Sequence, residues 1–394
     1  MEVKEKITIP QEIINETKDN KVLSKRDISI DFIRVIACFS VILTHLCLQV
    51  LNQCYNRIDW SRLLEKSFFT DGVPLFFMIT GFFLVNGRSY KKIWKSAIKK
   101  ILLPTLIFVI TSEIFYLFIV NKESILYCIQ NIHINIIGIL QSILKGDVSY
   151  LNSLCAHLWY IYSYIKIIIW IPILWLVCKE DKNAKLARRI MMILSIAGLL
   201  LEDVQRFWII PVIGKISVMQ IIPIEILYVL LGYELFVNKE KIKKNKKLSI
   251  ACLIGYFVIN FLRYRTEMQY MVNNSLVHII GRDSFMEWKY TCFNVISGLL
   301  LFMFLYSFEI KNEKISKIIL WISNKTFGIY LIHYLVLAKI DLYKFEKIEK
   351  FYLEIIYLFL GLIVTLVISI LIIMIIEQIK KVLVLLGKKV KLLQ

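Results

Sequence analysis

The chain has 394 residues, 58% of them hydrophobic, with a mean hydropathy of +0.66 and only 14 Gly and 6 Pro, a composition that excludes an ordinary soluble domain of this size. Its formal charge of +19 is not gathered into a basic stripe with interleaved aromatics, so it argues against nucleic-acid binding and for lysines that hold loops on one side of a lipid bilayer. The fold class this predicts is an all-α polytopic membrane protein.

Residues 1–27 mix acid and base and lack a short apolar core ending in small residues, so they read as a cytoplasmic N-terminal tail and not as a cleavable signal peptide. The first span, Ile28 to Leu51, is long enough to cross a bilayer yet carries Arg34 and His45. Eleven residues at 100° each return to within about 20° of the same helix face, and at 1.5 Å per residue they separate the two groups by roughly 16 Å along the axis. Ionisable groups at membrane depth face a protein interior or a wet cavity. One reading is structural, with Asp31 and Arg34 as a local ion pair and His45 satisfying a core hydrogen bond. In the other, Arg34 holds an anionic group near the cytoplasmic face while His45, deeper, serves as base or nucleophile.

Nine further spans are predicted at 70–86, 97–121, 155–178, 187–203, 214–237, 248–263, 289–309, 317–340 and 352–377. With about ten spans, both termini lie on one side. Lys and Arg outside the spans divide 31 to 15 in favour of the segments on the terminal side, which makes that side cytoplasmic. The organisation is then a tail over 1–27, a ten-helix membrane domain over 28–377 and a basic cytoplasmic tail over 378–394. Residues 123–146 are apolar but carry Gln130, Asn131, His133, Asn135 and Gln141, which favours an interfacial or re-entrant segment. The span at 187–203 is short and ends in Glu202 and Asp203.

Asp71 to Leu84, DGVPLFFMITGFFL, reads first as packing, with Pro74 in the first helical turn and Gly81 where another helix can approach closely. Arg88 to Lys100, RSYKKIWKSAIKK, serves membrane orientation, and would equally suit a phosphate-rich cytoplasmic ligand. His157 opens HLWYIYSYI, whose Trp159, Tyr160, Tyr162 and Tyr164 read as an interfacial aromatic belt. Lys166, Glu225 and Lys325 lie at membrane depth and should point inward or pair, and His333 in TFGIYLIHYLVL is the last of the apolar-span histidines. The eight cysteines include no CxxC pair, which weakens metal and redox readings. Cys54, Cys128 and Cys155 are placed on the outer side, leaving one disulfide open. GxSxG, HExxH, P-loop and dinucleotide fingerprints are all absent.

These residues taken together resemble the integral-membrane acyltransferase family 3, whose bacterial members O-acylate cell-surface glycans. The resemblance covers roughly 28–377 and rests on Arg34-x10-His45, GVPLFFMITGFFL at 72–84, the basic run before LLP at 102–104, HLWYIY at 157–162 and TFGIYLIH at 326–333. It implies an O-acetyltransferase of the bacterial cell membrane that moves an acyl group from acyl-CoA, usually acetyl-CoA, to a hydroxyl of a surface glycan or lipid-linked saccharide. No tightly bound cofactor, no metal and no nucleic acid are implied, and a homodimer is left open. The resemblance makes His45 and Arg34 catalytic and assigns Arg34, Arg88, Lys95, Lys99 and Lys100 to the donor, while His157, which could hydrogen-bond a substrate hydroxyl, Tyr160 and His333 are the candidate substrate-binding residues. Lys99 and Lys100 stand where members often show arginines, so a phosphate role survives better than a bidentate one. The competing reading is an amino-acid or small-solute transporter or sensor built on the same membrane domain, for which Lys166, Glu225 and Lys325 would line a pathway.

Overall fold

The computed structural model describes residues 27–53, 60–84, 89–116, 141, 151, 153–208, 222–273, 291–339 and 350–392, and all regular structure within them is helical. In chain order the helices are α1 (Ile28–Gln53), α2 (Trp60–Phe69), α3 (Gly72–Phe82), α4 (Tyr90–Ala97), α5 (Leu103–Phe115), α6 (Trp159–Val177), α7 (Lys182–Trp208), α8 (Ile224–Val237), α9 (Lys239–Lys244), α10 (Lys246–Asn273), α11 (Cys292–Tyr306), α12 (Glu313–Ser323), α13 (Thr326–Leu337) and α14 (Phe351–Leu392). A π-helical turn, Ile98–Leu102, joins α4 to α5, and a 3₁₀ turn, Ser153–Leu158, leads into α6.

Stretches of α1, α6, α10 and α14 are long and apolar enough to cross a membrane. Their burial separates the roles: 72% of the apolar window of α1 is buried, against 22% in α10 and 28% in α14. The first helix is therefore the interior post of the bundle. One of its faces packs Ile30, Ile33, Ala37 and Val41 into an apolar core shared with α3, α8 and α11. Another packs Cys38, Ile42 and Leu46 into a second core with α13 and α14. Asp27 fastens the post at its start by accepting the Ser29 N–H at 3.0 Å and the Tyr306 hydroxyl at 2.9 Å, with Lys243 3.8 Å away.

Several predicted boundaries change. The short span at 187–203 is part of the 27-residue α7, and 248–263 is part of the 28-residue α10, so Arg263 and Glu267 lie within a helix and not in a loop. The span at 317–340 is broken into α12 and α13 at Asn324–Lys325, and the predicted tail at 378–394 is largely a continuation of α14 to Leu392. The π turn has a local cause: Pro104 has no N–H and crowds the preceding turn, and the Leu103 N–H reaches back five residues to Ile98 O. Glu225 accepts a hydrogen bond from Ser163 at 2.7 Å, and Lys325 meets both carboxylate oxygens of Glu377 at 3.1 and 3.0 Å. Lys166, in contrast, points outward, because it falls on the exposed face of α6 with Ile169. Cys155 is a free thiol within 2.9 Å of the Ser112 hydroxyl, while Cys54, Cys128, Arg88 and all of 123–146 except Gln141 lie outside the described residues.

Helices α3 and α8 cross at two glycines. A Cβ on Gly81 would stand 1.9 Å from Val229 O, and one on Gly232 would stand 2.0 Å from Met78 O. Backbone meets backbone there, so no side chain can rotate away to make room. Gly81→Ala is expected to destabilise the protein by about 1–3 kcal/mol, the usual range for overpacking. A lowered unfolding temperature in detergent checks this, and an unchanged one would show that the crossing relaxes freely.

A buried polar centre occupies the side of α1 facing α2, α10 and α11. Lys66 Nζ lies 3.4 Å from Glu267, Arg263 donates to Ser67 O and to the Thr70 hydroxyl, and Asp71 accepts from Ser297 at 2.7 Å. None of these four ionisable side chains is more than 2% exposed.

Candidate active site

Three helical elements carry one histidine each to a common place. His45 comes from α1, His157 from the 3₁₀ turn and His333 from α13. The His333 ring centroid lies 5.3 Å from that of His45 and 5.1 Å from that of His157. Tyr334 packs edge-on against His45 at 5.2 Å and stacks on His157 at 5.2 Å, so one phenol touches two imidazoles. The Tyr330 hydroxyl donates to His157 O at 2.6 Å and thereby fixes the 3₁₀ turn against α13. Tyr160, the second residue of α6, extends the aromatic wall through Tyr330 at 5.6 Å and Phe77 at 5.1 Å.

Exposure distinguishes the three rings. His157 and His333 are 2% and 0% exposed, whereas His45 is partly exposed and is the member of the trio that a ligand can meet. The His333 Nδ1 lies 2.7 Å from Tyr330 O and 3.2 Å from Ile329 O. Carbonyl oxygens only accept, so Nδ1 carries the proton. The other nitrogen, Nε2, is buried without a hydrogen-bond partner. The His157 ring lies beside the backbone of Leu154 and Leu331 without a well-formed hydrogen bond at either nitrogen. Among the described residues no group of three His, Cys, Asp or Glu side chains is disposed to hold a metal ion.

Arg34 sits roughly 16 Å from His45 along α1 by helical rise. Its guanidinium forms the ion pair with Asp31 that the i,i+3 spacing suggests, at 2.9 Å, and also meets the Ser323 hydroxyl at 3.2 Å. Ser323 in turn donates to the same Asp31 oxygen at 2.5 Å. The ion pair does not bury Arg34, whose side chain is 26% exposed against 2% for Asp31. The ion pair of the structural reading is thus present, and it leaves the Arg34 side chain partly exposed.

The structure thus brings His45, His157, Tyr160 and His333 together and sets Arg34 at the far end of the same face. Lys95, Lys99 and Lys100 are exposed on α4 and the π turn, and none of their ammonium groups enters a hydrogen bond or ion pair among the described residues. Sequence reasoning missed Tyr330, Tyr334 and Ser323. A signal was present for the tyrosines, because positions 330, 333 and 334 share one helical face of TFGIYLIHYLVL.

A family model described as an acyltransferase domain matches residues 27–374. No curated protein and no solved structure matches the chain.

Proposed function

The chain belongs to this acyltransferase family, and from that premise we propose that it is a multi-pass enzyme of the bacterial cell membrane which transfers an acyl group, acetyl in the simplest case, from cytoplasmic acyl-CoA to a hydroxyl of a surface glycan or its lipid-linked precursor. The observation that carries the reading is the convergence of His45, His157 and His333 at one end of a helix face whose other end presents Arg34. An arginine and a partly exposed imidazole about 16 Å apart match a donor with anionic phosphates at one end and a reactive thioester at the other. The transport reading finds no support in the comparisons.

The orientation inferred from the charge count has support in the bundle. Asp27, Lys243 and Tyr306 meet at one end, as do Arg188 and Glu234 at 2.6 Å, and these residues border segments that the count assigns to the cytoplasm. Arg34 lies toward that end and His45 away from it. The donor phosphates would meet Arg34 first, with Lys95, Lys99 and Lys100 adding long-range attraction from the exposed end of α4 and the π turn. His45 would act at the thioester carbonyl and deliver the acyl group toward the opposite face.

Arg34→Ala is expected to raise the KM for acetyl-CoA at least about tenfold, since one charge-assisted contact to phosphate is worth roughly 1.5–3 kcal/mol, and to lower the folded yield as well, because the buried Asp31 loses its cation. The check is release of CoA thiol by the purified protein in nanodiscs supplied with acetyl-CoA and the host's glycan lipid extract. An unchanged KM would remove Arg34 from the donor site, and no thiol release by the wild type, together with no O-acetyl on the host glycan by NMR, would remove the acyltransfer reading.

A further inference from the structure

We propose that the reaction is a double displacement in which His45 carries the acyl group and His333 Nε2 is the base that takes the proton at each step. The inference rests on the acyltransfer reading and settles a question that reading leaves open, namely whether His45 is itself the base.

The argument begins with the His333 tautomer. Two backbone carbonyls hold the proton on Nδ1, so Nε2 presents a lone pair whatever happens in the site. A buried ring nitrogen without a partner costs free energy, and at 0% exposure no bulk water satisfies this one. Two imidazoles adjoin it, His157 at a centroid separation of 5.1 Å and His45 at 5.3 Å with an interplanar angle of 43°, and of the two only His45 is partly exposed. At that separation facing ring edges come within proton-transfer reach, directly or through one water. His45 differs from His333 in both respects that matter: its ring nitrogens make no hydrogen bond with the protein among the described residues, and it is partly exposed. A tethered, sealed imidazole suits a base, and an untethered, accessible one suits a nucleophile. No carboxylate hydrogen-bonds any of the three rings among the described residues, so the orienting role that a carboxylate plays in many triads falls here to the carbonyls of Tyr330 and Ile329.

The steps balance without a further reactant. A His45 ring nitrogen attacks the thioester carbonyl, the C–S bond breaks, and the proton on the other His45 nitrogen passes to His333 Nε2. His333 then returns that proton through one water to the departing thiolate, giving CoA thiol and a neutral acylimidazole at His45. In the second step the acceptor hydroxyl attacks the acyl carbon as its proton passes through one water to His333 Nε2. The acyl–nitrogen bond breaks, and the proton returns to His45. Both histidines end as they began.

The test uses wild-type protein in nanodiscs with radiolabelled acetyl-, succinyl- or octanoyl-CoA and no acceptor. The expected result is a burst of one CoA thiol per active site, with label on the peptide carrying His45. His333→Asn keeps an amide donor for Tyr330 O but supplies no base. It is expected to bind acyl-CoA with unchanged Kd and to slow the burst at least about a hundredfold, within the range for loss of a general base. His333→Gln, which carries its amide further out, should be equally slow. A burst in His333→Asn within about threefold of wild type would overturn the base assignment, since a merely structural histidine is the case that asparagine rescues. Wild-type protein that transfers acyl groups to glycan in cells but never carries label on His45 would overturn the double displacement and leave the acyltransfer reading standing. Protein that neither forms label nor transfers would take both away.

Discussion

Replacing His45 by alanine is expected to lower acyl transfer by at least about a hundredfold, and up to about ten-thousandfold, the range over which a positioned acid–base or nucleophilic group contributes. The large effect follows from its place. His45 is the ring of the trio that a ligand can meet, and it touches both His333 and Tyr334. The effect on folding should be small by comparison, because a partly exposed ring with no hydrogen bond to the protein among the described residues leaves little behind when it is removed. Activity and stability therefore come apart at this position, whereas at His333, buried and bonded to backbone, some stability is lost as well. The measurement is O-acyl content of the surface glycan by NMR in cells producing matched amounts of wild type and His45→Ala. Wild-type acylation by the alanine variant at matched protein level would exclude His45 from the chemistry.

A second large effect is expected in the polar centre on the other side of α1, and it is a stability effect. Glu267 is fully buried beside Lys66, which is 2% exposed, and Arg263 stands one turn away on the same helix. Glu267→Leu leaves Lys66 in a low-dielectric interior without its paired carboxylate and beside the Arg263 cation. Removing one partner of a buried pair costs about 3–5 kcal/mol. Replacing both partners by apolar residues of similar volume is often neutral, so Lys66→Met added to Glu267→Leu should recover much of that loss. Unfolding of the four proteins in detergent, read as a double-mutant cycle, checks this. Additive losses in the double variant would mean that the two side chains do not act as a pair.

The sequence carried the stripe on α1 well, because periodicity along one helix needs no knowledge of its neighbours. Arg34 and His45 could be set on a common face by counting, and the ion pair of Arg34 with Asp31 is the i,i+3 contact that counting allows. His157 and His333 could be picked out only singly. Their meeting depends on the register of the 3₁₀ turn against α13, fixed by the Tyr330 hydroxyl on His157 O, and no local pattern encodes a contact across 173 positions. The boundaries that moved have a common cause. Hydropathy ends a span at the first charged residues, but Arg263 and Glu267 each find a polar partner inside the protein, so α10 runs on past them. The reverse error occurred at Lys166, where an ionisable group expected to turn inward lies on an outer face of the bundle.

The break at Asn324–Lys325 places Ser323, which holds Asp31 and Arg34, at the end of α12, and His333, which touches His45, ten residues later on α13. Two lengths of chain thus run in the same direction between the same two points, eleven residues on α1 and ten beside it. Each gauges the other. Side chains between the fixed points can change one at a time within the limits of packing, but adding or deleting one residue in either length turns everything beyond it by about 100° and carries one histidine off the face it shares with the other. The site is in this sense specified by a count, and an alteration of length between residues 34 and 45 would disable it even if every residue named above were retained.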